Sequence, residues 1–400
     1  MVTDIDVLVV GAGPAGAAAA IELRRAGRDV VIVDKATFPR DKCCGDGLTT
    51  LALRELEHIG FEPSTVPSFQ RVDGATLRSP SGRVVEVPLP TGDGLFAAVT
   101  PRVELDAALV DLASADGVKV HQGHGVSGVT MGERSVSVDV EGLGTMTASH
   151  VIAADGMWSP TRKALGLNVD GYLGEWQAFR QYVGGVSGLA SEQLIVWFDE
   201  DFLPGYAWSF PLPGARANVG FGILRGTGTR AQQMKAMWAG LFDRPHIAEA
   251  LGPTAEPEGR HLAWPIPARV DSATLTHGRV LFVGDAAAAP DLMTGEGIGQ
   301  ALLTGRLAAE AINGGSDTAA TRYAASVRAE LVADHTMSVL LGRLLKHRRG
   351  ANGAIALLAH SGAWGRRNFA RWMFEDEPRA IAVTPRRWHR RFLSRSGAYS

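Results

Sequence analysis

Apolar positions along the chain change their spacing several times, and each change marks an element. Val7–Val10 is an unbroken apolar run, the pattern of a strand buried on both faces of a parallel sheet. An Ala-rich helix is predicted from Pro14 to about Arg25, stopped by Gly27, and a second apolar run, Val30–Val33, closes on Asp34. Residues 71–87 alternate around the turn SPSGR and predict a hairpin. Pro101 opens a helix with Leu105, Leu109 and Leu112 at helical spacing, ended by Gly117. Short strands are expected at 118–120, 125–130, 135–140 and 145–148 as a meander, then a buried strand at Val151–Ala154. From 167 to about 270 the pattern turns β-rich, with aromatics set between Gly and Pro. Val280–Val283 is a last buried strand, a helix opens near Gly297 and Ile298, and residues 323–346 read as helical. Strands alternating with helices predict an α/β chain, with a Rossmann-type nucleotide domain interleaved with a mostly antiparallel β-sheet substrate domain and a helical C-terminal part.

The first βαβ unit carries chemistry. Gly11, Gly13 and Gly16 form GxGxxG between strand and helix, the arrangement that turns tightly, admits a pyrophosphate and packs helix on strand. The turn at Pro14 and Ala15 presents helix N–H groups to a diphosphate. Asp34 lies close to the roughly 20-residue offset at which a carboxylate takes ribose hydroxyls, which disfavours a 2′-phosphate. Lys35 follows it on the rim of the same site.

Composition narrows the class. The chain has 400 residues, 46% hydrophobic, with a formal net charge of −2, which gives nucleic acid no electrostatic footing as a partner. No apolar stretch reaches the roughly 18 residues of a membrane span, and the first strand starts too early for a signal peptide. The two cysteines, Cys43 and Cys44, are adjacent and poorly placed for a disulfide, so a reducing cytoplasm is expected. No metal site is expected.

PRDKCCGDGLT, after the second strand, resembles the signature of the geranylgeranyl reductase family of FAD-dependent flavoproteins, with Cys43 where that family more often has Pro. The resemblance covers most of residues 1–315 and implies FAD as cofactor. It places Cys44 and Gly45 against the isoalloxazine, Arg102 on the diphosphate and Val126 against adenine. The Asp155-Gly156 turn, with Ser159 and Arg162, resembles the flavoprotein DG motif. In the stretch from Gly284 to Ile298, the resemblance assigns Asp285 to the ribityl chain and the helix after Gly295 and Gly297 to the pyrimidine end. It also assigns Tyr206, Trp208 and Phe210, in YAWSFP followed by VGFG, to a substrate cavity, and period-two spacing puts these three on one face of a strand. On this basis residues 1–70, 98–166 and 271–315 form the FAD-binding domain, 71–97 and 167–270 the substrate-binding domain, and 316–400 a helical region with a basic tail.

No second GxGxxG unit supplies a nicotinamide domain, and Cys43-Cys44 lacks the CxxC spacing of a redox pair. The resemblance implies reduction of C=C bonds in an isoprenoid or similar apolar substrate by hydride from reduced flavin, with NAD(P)H or another reductant as electron donor. Cys44, or a water held by Tyr206, is the expected proton donor, and Trp208 completes the catalytic set. The alternative is an FAD-dependent monooxygenase acting on a bulky aromatic or polyketide-type substrate. The basic stretch RRWHRRFLSRS reads most simply as a solvated, frayed tail. Its sharper reading is a peripheral membrane contact, which suits a lipid substrate.

Overall fold

In the computed structural model, residues 3–226, 231–389, 391 and 394–400 are described. Two sheets organise them. The first runs in the order Thr276–His277, Val280–Phe282, Gly144–Ala153, Thr3–Val10, Val30–Asp34, Lys119–Gln122, and all of these pairings but the first are parallel. Val136–Val140 and Val126–Met131 extend Gly144–Ala153 as antiparallel strands. Helices Pro14–Arg25 and Ile298–Asn313 cover this sheet, and Leu8, Ile21, Ile32, Ile152, Phe282 and Leu302 share its core. The uninterrupted apolar runs are explained by burial on both faces: Val7, Leu8 and Val9 are fully inaccessible.

The second sheet has seven strands in the order Glu256–Ile266, Trp176–Gly184, Arg216–Leu224, Tyr206–Leu212, Leu194–Trp197, Gly74–Arg78, Val84–Pro88. It is antiparallel except where Leu194–Trp197 runs parallel to Gly74–Arg78. One face packs Phe179, Phe202 and Phe221 against Trp238 of the helix Ala231–Ala239. The other face looks toward the first sheet. The C-terminal helices Ala333–Leu345, Arg348–His360 and Gly362–Met373 close one end, where Ile355, Leu358 and Phe374 join the hairpin's Leu77 and Val87.

Three expectations are corrected. Residues 145–148 and 151–154 are not two strands: Gly144–Ala153 is continuous, because Gly144–Ala148 pairs with Val136–Val140 while Met146–Ala153 pairs with Thr3–Val10, and Val151–Ala153 also with Val280–Phe282. Lys119–Gln122 leaves the meander and pairs in parallel with Val30–Asp34, at the edge of the first sheet. The described residues of the tail are not frayed. Arg387 Nη1 donates to Asp334 at 2.9 Å, Trp388 Nε1 donates to the Ile381 carbonyl at 2.7 Å, and Arg54 donates to the Ser396 carbonyl at 2.9 Å. Among the described residues no helix is long and apolar enough to cross a membrane.

The helices Pro14–Arg25 and Ile298–Asn313 approach so closely that a Cβ on Gly305 would lie 2.2 Å from the Ala15 carbonyl oxygen. Backbone cannot give way as a side-chain tip does. Gly305→Ala is therefore expected to destabilise the chain by about 1–3 kcal/mol, read as a lowered thermal midpoint; an unaltered midpoint would mean that the two helices are free to part.

Candidate active site

The end of the first strand dictates the start of the site. Gly11 has φ +105°, and a Cβ there would sit 2.3 Å from the Ala154 carbonyl oxygen; one on Gly16 would sit 1.9 Å from the Gly11 carbonyl oxygen. Only glycine lets strand, turn and helix meet so closely. Gly13 differs: a Cβ there would meet nothing nearer than Arg40 Nη2 at 3.7 Å, because it faces a cavity. Asp34 fixes the loop, accepting from the Ala12 N–H at 2.7 Å and the Ala36 N–H at 2.8 Å.

The cavity, about 820 Å³, lies between the two sheets and is lined mainly by apolar groups. It brings together every residue predicted for the site except Gly16, which packs beneath it: Gly11, Gly13, Pro14, Ala15, Asp34, Lys35, Cys44, Gly45, Arg102, Val126, Asp155, Tyr206, Trp208, Gly284, Asp285, Gly295, Gly297 and Ile298. Asp155 caps a short helix through the Thr161 N–H at 2.9 Å, and its Oδ1 is buried with no partner among the described residues. Gly284 takes φ +57° and donates its N–H to Thr304 Oγ1 at 2.9 Å, which sets Asp285 on the wall.

Three groups carry contacts that the sequence does not show. Arg102 is bidentate to Asp106, at 2.6 and 2.7 Å, which supplies the partner that a cation in a first helical turn needs. Tyr206 donates its hydroxyl to the Thr294 carbonyl, so only its lone pairs remain for a water. At the helix start, Glu296 Oε1 accepts from the N–H groups of Ile298, at 3.0 Å, and Gly299, at 3.3 Å.

Sequence reasoning passed over the group that ties the site together. Asp46, buried at φ +66°, accepts from Tyr182 Oη and Asn218 Nδ2, both at 2.8 Å, and from the Arg102 N–H at 3.2 Å. Asn218 also donates to the Cys44 carbonyl at 2.8 Å and accepts from Trp208 Nε1 at 3.2 Å. The cysteine loop and the aromatic strand are thus one rigid unit. An acid between two glycines in CGDG was the available signal. Glycines on the neighbouring strand make room for the rings: a Cβ on Gly220 would meet the Trp208 indole at 2.4 Å, and one on Gly222 the Trp176 indole at 3.2 Å. A second buried cluster was also not foreseen. Arg379 from the C-terminal segment lies 3.4 Å from Asp291 and 3.2 Å from Glu375.

Burial dominates the electrostatics. It pushes the Cys44 thiol up to about 11 and the Cys43 thiol up to about 12, partly offset by Arg102 and Arg180 respectively, so both are protonated near neutral pH. It raises Asp46 to about 6 against the pull of Tyr182 and Asn218. Glu296 is raised by burial and then by Glu375, two carboxyl groups that resist being charged together.

Two outcomes follow. The thiols should alkylate about a hundredfold more slowly than free cysteine at pH 7.5, with a rate still climbing between pH 7 and 9, where free cysteine begins to level; a plateau below pH 9 would contradict the buried placement. Asp46 binds its proton more tightly folded than unfolded, so its contribution to stability is present at about pH 4 and is lost as pH rises through about 6. The stability difference between the chain and Asp46→Asn should accordingly shift by about 3 kcal/mol over that window in denaturant titrations.

Comparison with known proteins agrees with this geometry. The family described as FAD binding domain matches residues 4–303. Menaquinone reductase of Mycolicibacterium smegmatis is 36% identical over 337 residues, 80% of this chain and 78% of that protein. Digeranylgeranylglycerophospholipid reductase 2 of Methanopyrus kandleri is 33% identical, over 77% of this chain and 76% of that protein. Among solved structures, a geranylgeranyl bacteriochlorophyll reductase-like protein of Thermoplasma acidophilum superposes with a TM-score of 0.81 at 20% identity, covering 97% of this chain and all of that one. A halogenase in complex with FAD shares the fold at a TM-score of 0.72 and 15% identity, over 95% of this chain and 84% of that one. The chain belongs to the FAD-binding-domain family, as a geranylgeranyl reductase-like, FAD-dependent oxidoreductase.

Proposed function

We propose that this chain reduces C=C bonds in the isoprenoid tail of a lipid, of the menaquinone or prenyl-phospholipid kind. The observation that carries the reading is the likeness to two curated prenyl-lipid reductases over more than three quarters of the chain, joined to a cavity whose walls suit such a tail. The aromatic wall of Tyr206, Trp208 and Phe210 continues into Leu341, Leu345, Ile355, Phe369 and Met373 of the C-terminal helices. Such a surface binds by area with few polar anchors. The monooxygenase alternative draws on likeness of fold alone.

The residues fit FAD. Gly13 leaves the backbone bare to the cavity, the helix at Pro14 and Ala15 opens on it, and Asp155 keeps an uncommitted buried oxygen. In this reading Gly11, Gly13 and Arg102 hold the diphosphate, with the turns at Asp155 and Gly284 bordering it, Asp34 and Lys35 hold the ribose, and Val126 the adenine. Asp285 takes the ribityl chain, Gly295, Gly297 and Ile298 the pyrimidine end, and Gly45 and Cys44 the ring. The FAD-binding domain is residues 1–70, 98–166 and 271–315, and the substrate-binding domain 71–97 and 167–270. FAD, once reduced by NAD(P)H or another donor, supplies the hydride. Cys44, kept protonated by burial, holds the proton for the second carbon, while Tyr206 and Trp208 hold the double bond in place and exclude water.

A cytoplasmic protein with this substrate must meet a membrane. Leu340, Leu344, Leu357 and Trp364 are exposed on the C-terminal helices, beside Arg343, Lys346, Arg348 and Arg349. Leu344 and Ala354, exposed yet lining the cavity, put its mouth there. Apolar and basic groups together suit anionic lipid, at about 1 kcal/mol per cation.

The test is anaerobic mixing of the reduced protein with geranylgeraniol: flavin absorbance should return as the alcohol loses a double bond, whereas no return in the absence of oxygen would contradict a reductase. Cys44→Ala should lower the rate of that step about 10²- to 10⁴-fold while the protein purifies with its FAD. An unaltered rate would remove Cys44 as donor.

A further inference from the structure

One region of the cavity is polar in a way the apolar tail does not use. Lys42 Nζ stands 3.7 Å over the Trp264 ring and forms no ion pair among the described residues. Trp264 Nε1 is buried with no acceptor among those residues. Arg180 lies next to them: its side chain is 3% exposed, its Nη2 reaches Asp41 at 2.5 Å and the Lys42 carbonyl at 3.4 Å, and its Nε has no partner among the described residues. The register explains the convergence. Ala178 pairs with Trp264 and Arg180 with Leu262, so Arg180 and Trp264 project from the same face of adjacent strands. All three side chains line the cavity, as does the loop that carries Lys42.

Buried donors left unpaired are expensive, and two of them, Arg180 Nε and Trp264 Nε1, beside the Lys42 ammonium on one wall suit a ligand rich in acceptors. The aromatic wall and the C-terminal helices provide for a hydrocarbon chain, not for oxygen. We propose that Lys42, Trp264 and Arg180 form a subsite for the oxygen-bearing head group of the prenyl substrate, donating hydrogen bonds to a quinone carbonyl or a phosphate-ester oxygen. This rests on the prenyl-lipid reading above and adds which end of the lipid the protein recognises. The desolvation that lowers the Lys42 ammonium, only partly offset by Asp285, is what a bound acceptor oxygen would relieve. Trp264 contributes an N–H and an aromatic face at once, so it holds the ammonium in place while donating to the same head group.

Two variants separate these roles. Trp264→Phe keeps a ring under the ammonium and deletes the N–H; Lys42→Met keeps the chain length and deletes the charge. Equilibrium binding to the oxidised FAD-loaded protein would be followed for menaquinone, geranylgeranyl phosphate and squalene, the last being polyprenyl without a head group. The wild type should bind both headed ligands at least about tenfold more tightly than squalene. Each variant should lose about tenfold for a headed ligand, with FAD content at purification equal to that of the wild type. Loss for menaquinone alone assigns a carbonyl, and loss for the phosphate alone assigns the ester. The proposal is overturned if the variants bind the headed ligands as the wild type does, if they lose FAD, or if only the Michaelis constant for the reductant changes. If the wild type binds none of the three, the prenyl-lipid reading fails and the subsite with it; if it binds all three equally, the subsite alone fails.

Discussion

Everything in this molecule depends on how closely backbone can approach backbone where the first strand becomes the first helix. Gly16 rests against the Gly11 carbonyl and Gly305 against the Ala15 carbonyl, with no room for a Cβ at either. That contact holds Pro14–Arg25 between the first sheet and Ile298–Asn313, and it aims the helix start at the cavity. The helix pair, the sheet and the bare backbone at Gly13 are consequences of one packing constraint. A strand can turn into a helix this tightly only with glycine at these positions.

The opposite wall is built on a different principle. A charged group, Asp46, is taken out of water and satisfied by Tyr182, Asn218 and the Arg102 backbone. Burying a carboxyl is costly unless every lone pair has a donor, so the arrangement has little freedom to vary. Asn218 then passes the constraint on, to the Cys44 carbonyl on one side and the Trp208 indole on the other. In this account, the residue that holds the proton and the ring that holds the alkene are positioned by the same buried amide.

Much of the first half was legible in the sequence. The apolar runs, the glycines and Asp34 are local signals, and each resides in a stretch short enough for spacing to carry its meaning. The aromatic row at Tyr206, Trp208 and Phe210 was legible for the same reason, since two-residue spacing fixes a strand face. What escaped is non-local. Asp46 meets Asn218 and Tyr182 across strands more than a hundred residues away, and Arg379 reaches Asp291 from a distant part of the C-terminal region. The continuous strand Gly144–Ala153 was divided in the sequence because its two halves answer to different partners, one exposed and alternating, the other buried.

The central claim is that two hydrogens are added across a carbon–carbon double bond in this cavity. Mass spectrometry of a menaquinone incubated with the FAD-loaded protein, dithionite and D₂O without oxygen tests it most directly. The account predicts that the saturated product carries both deuterons in its isoprenoid tail. A product altered only in the quinone ring, or one that forms only in air and gains oxygen, would contradict it.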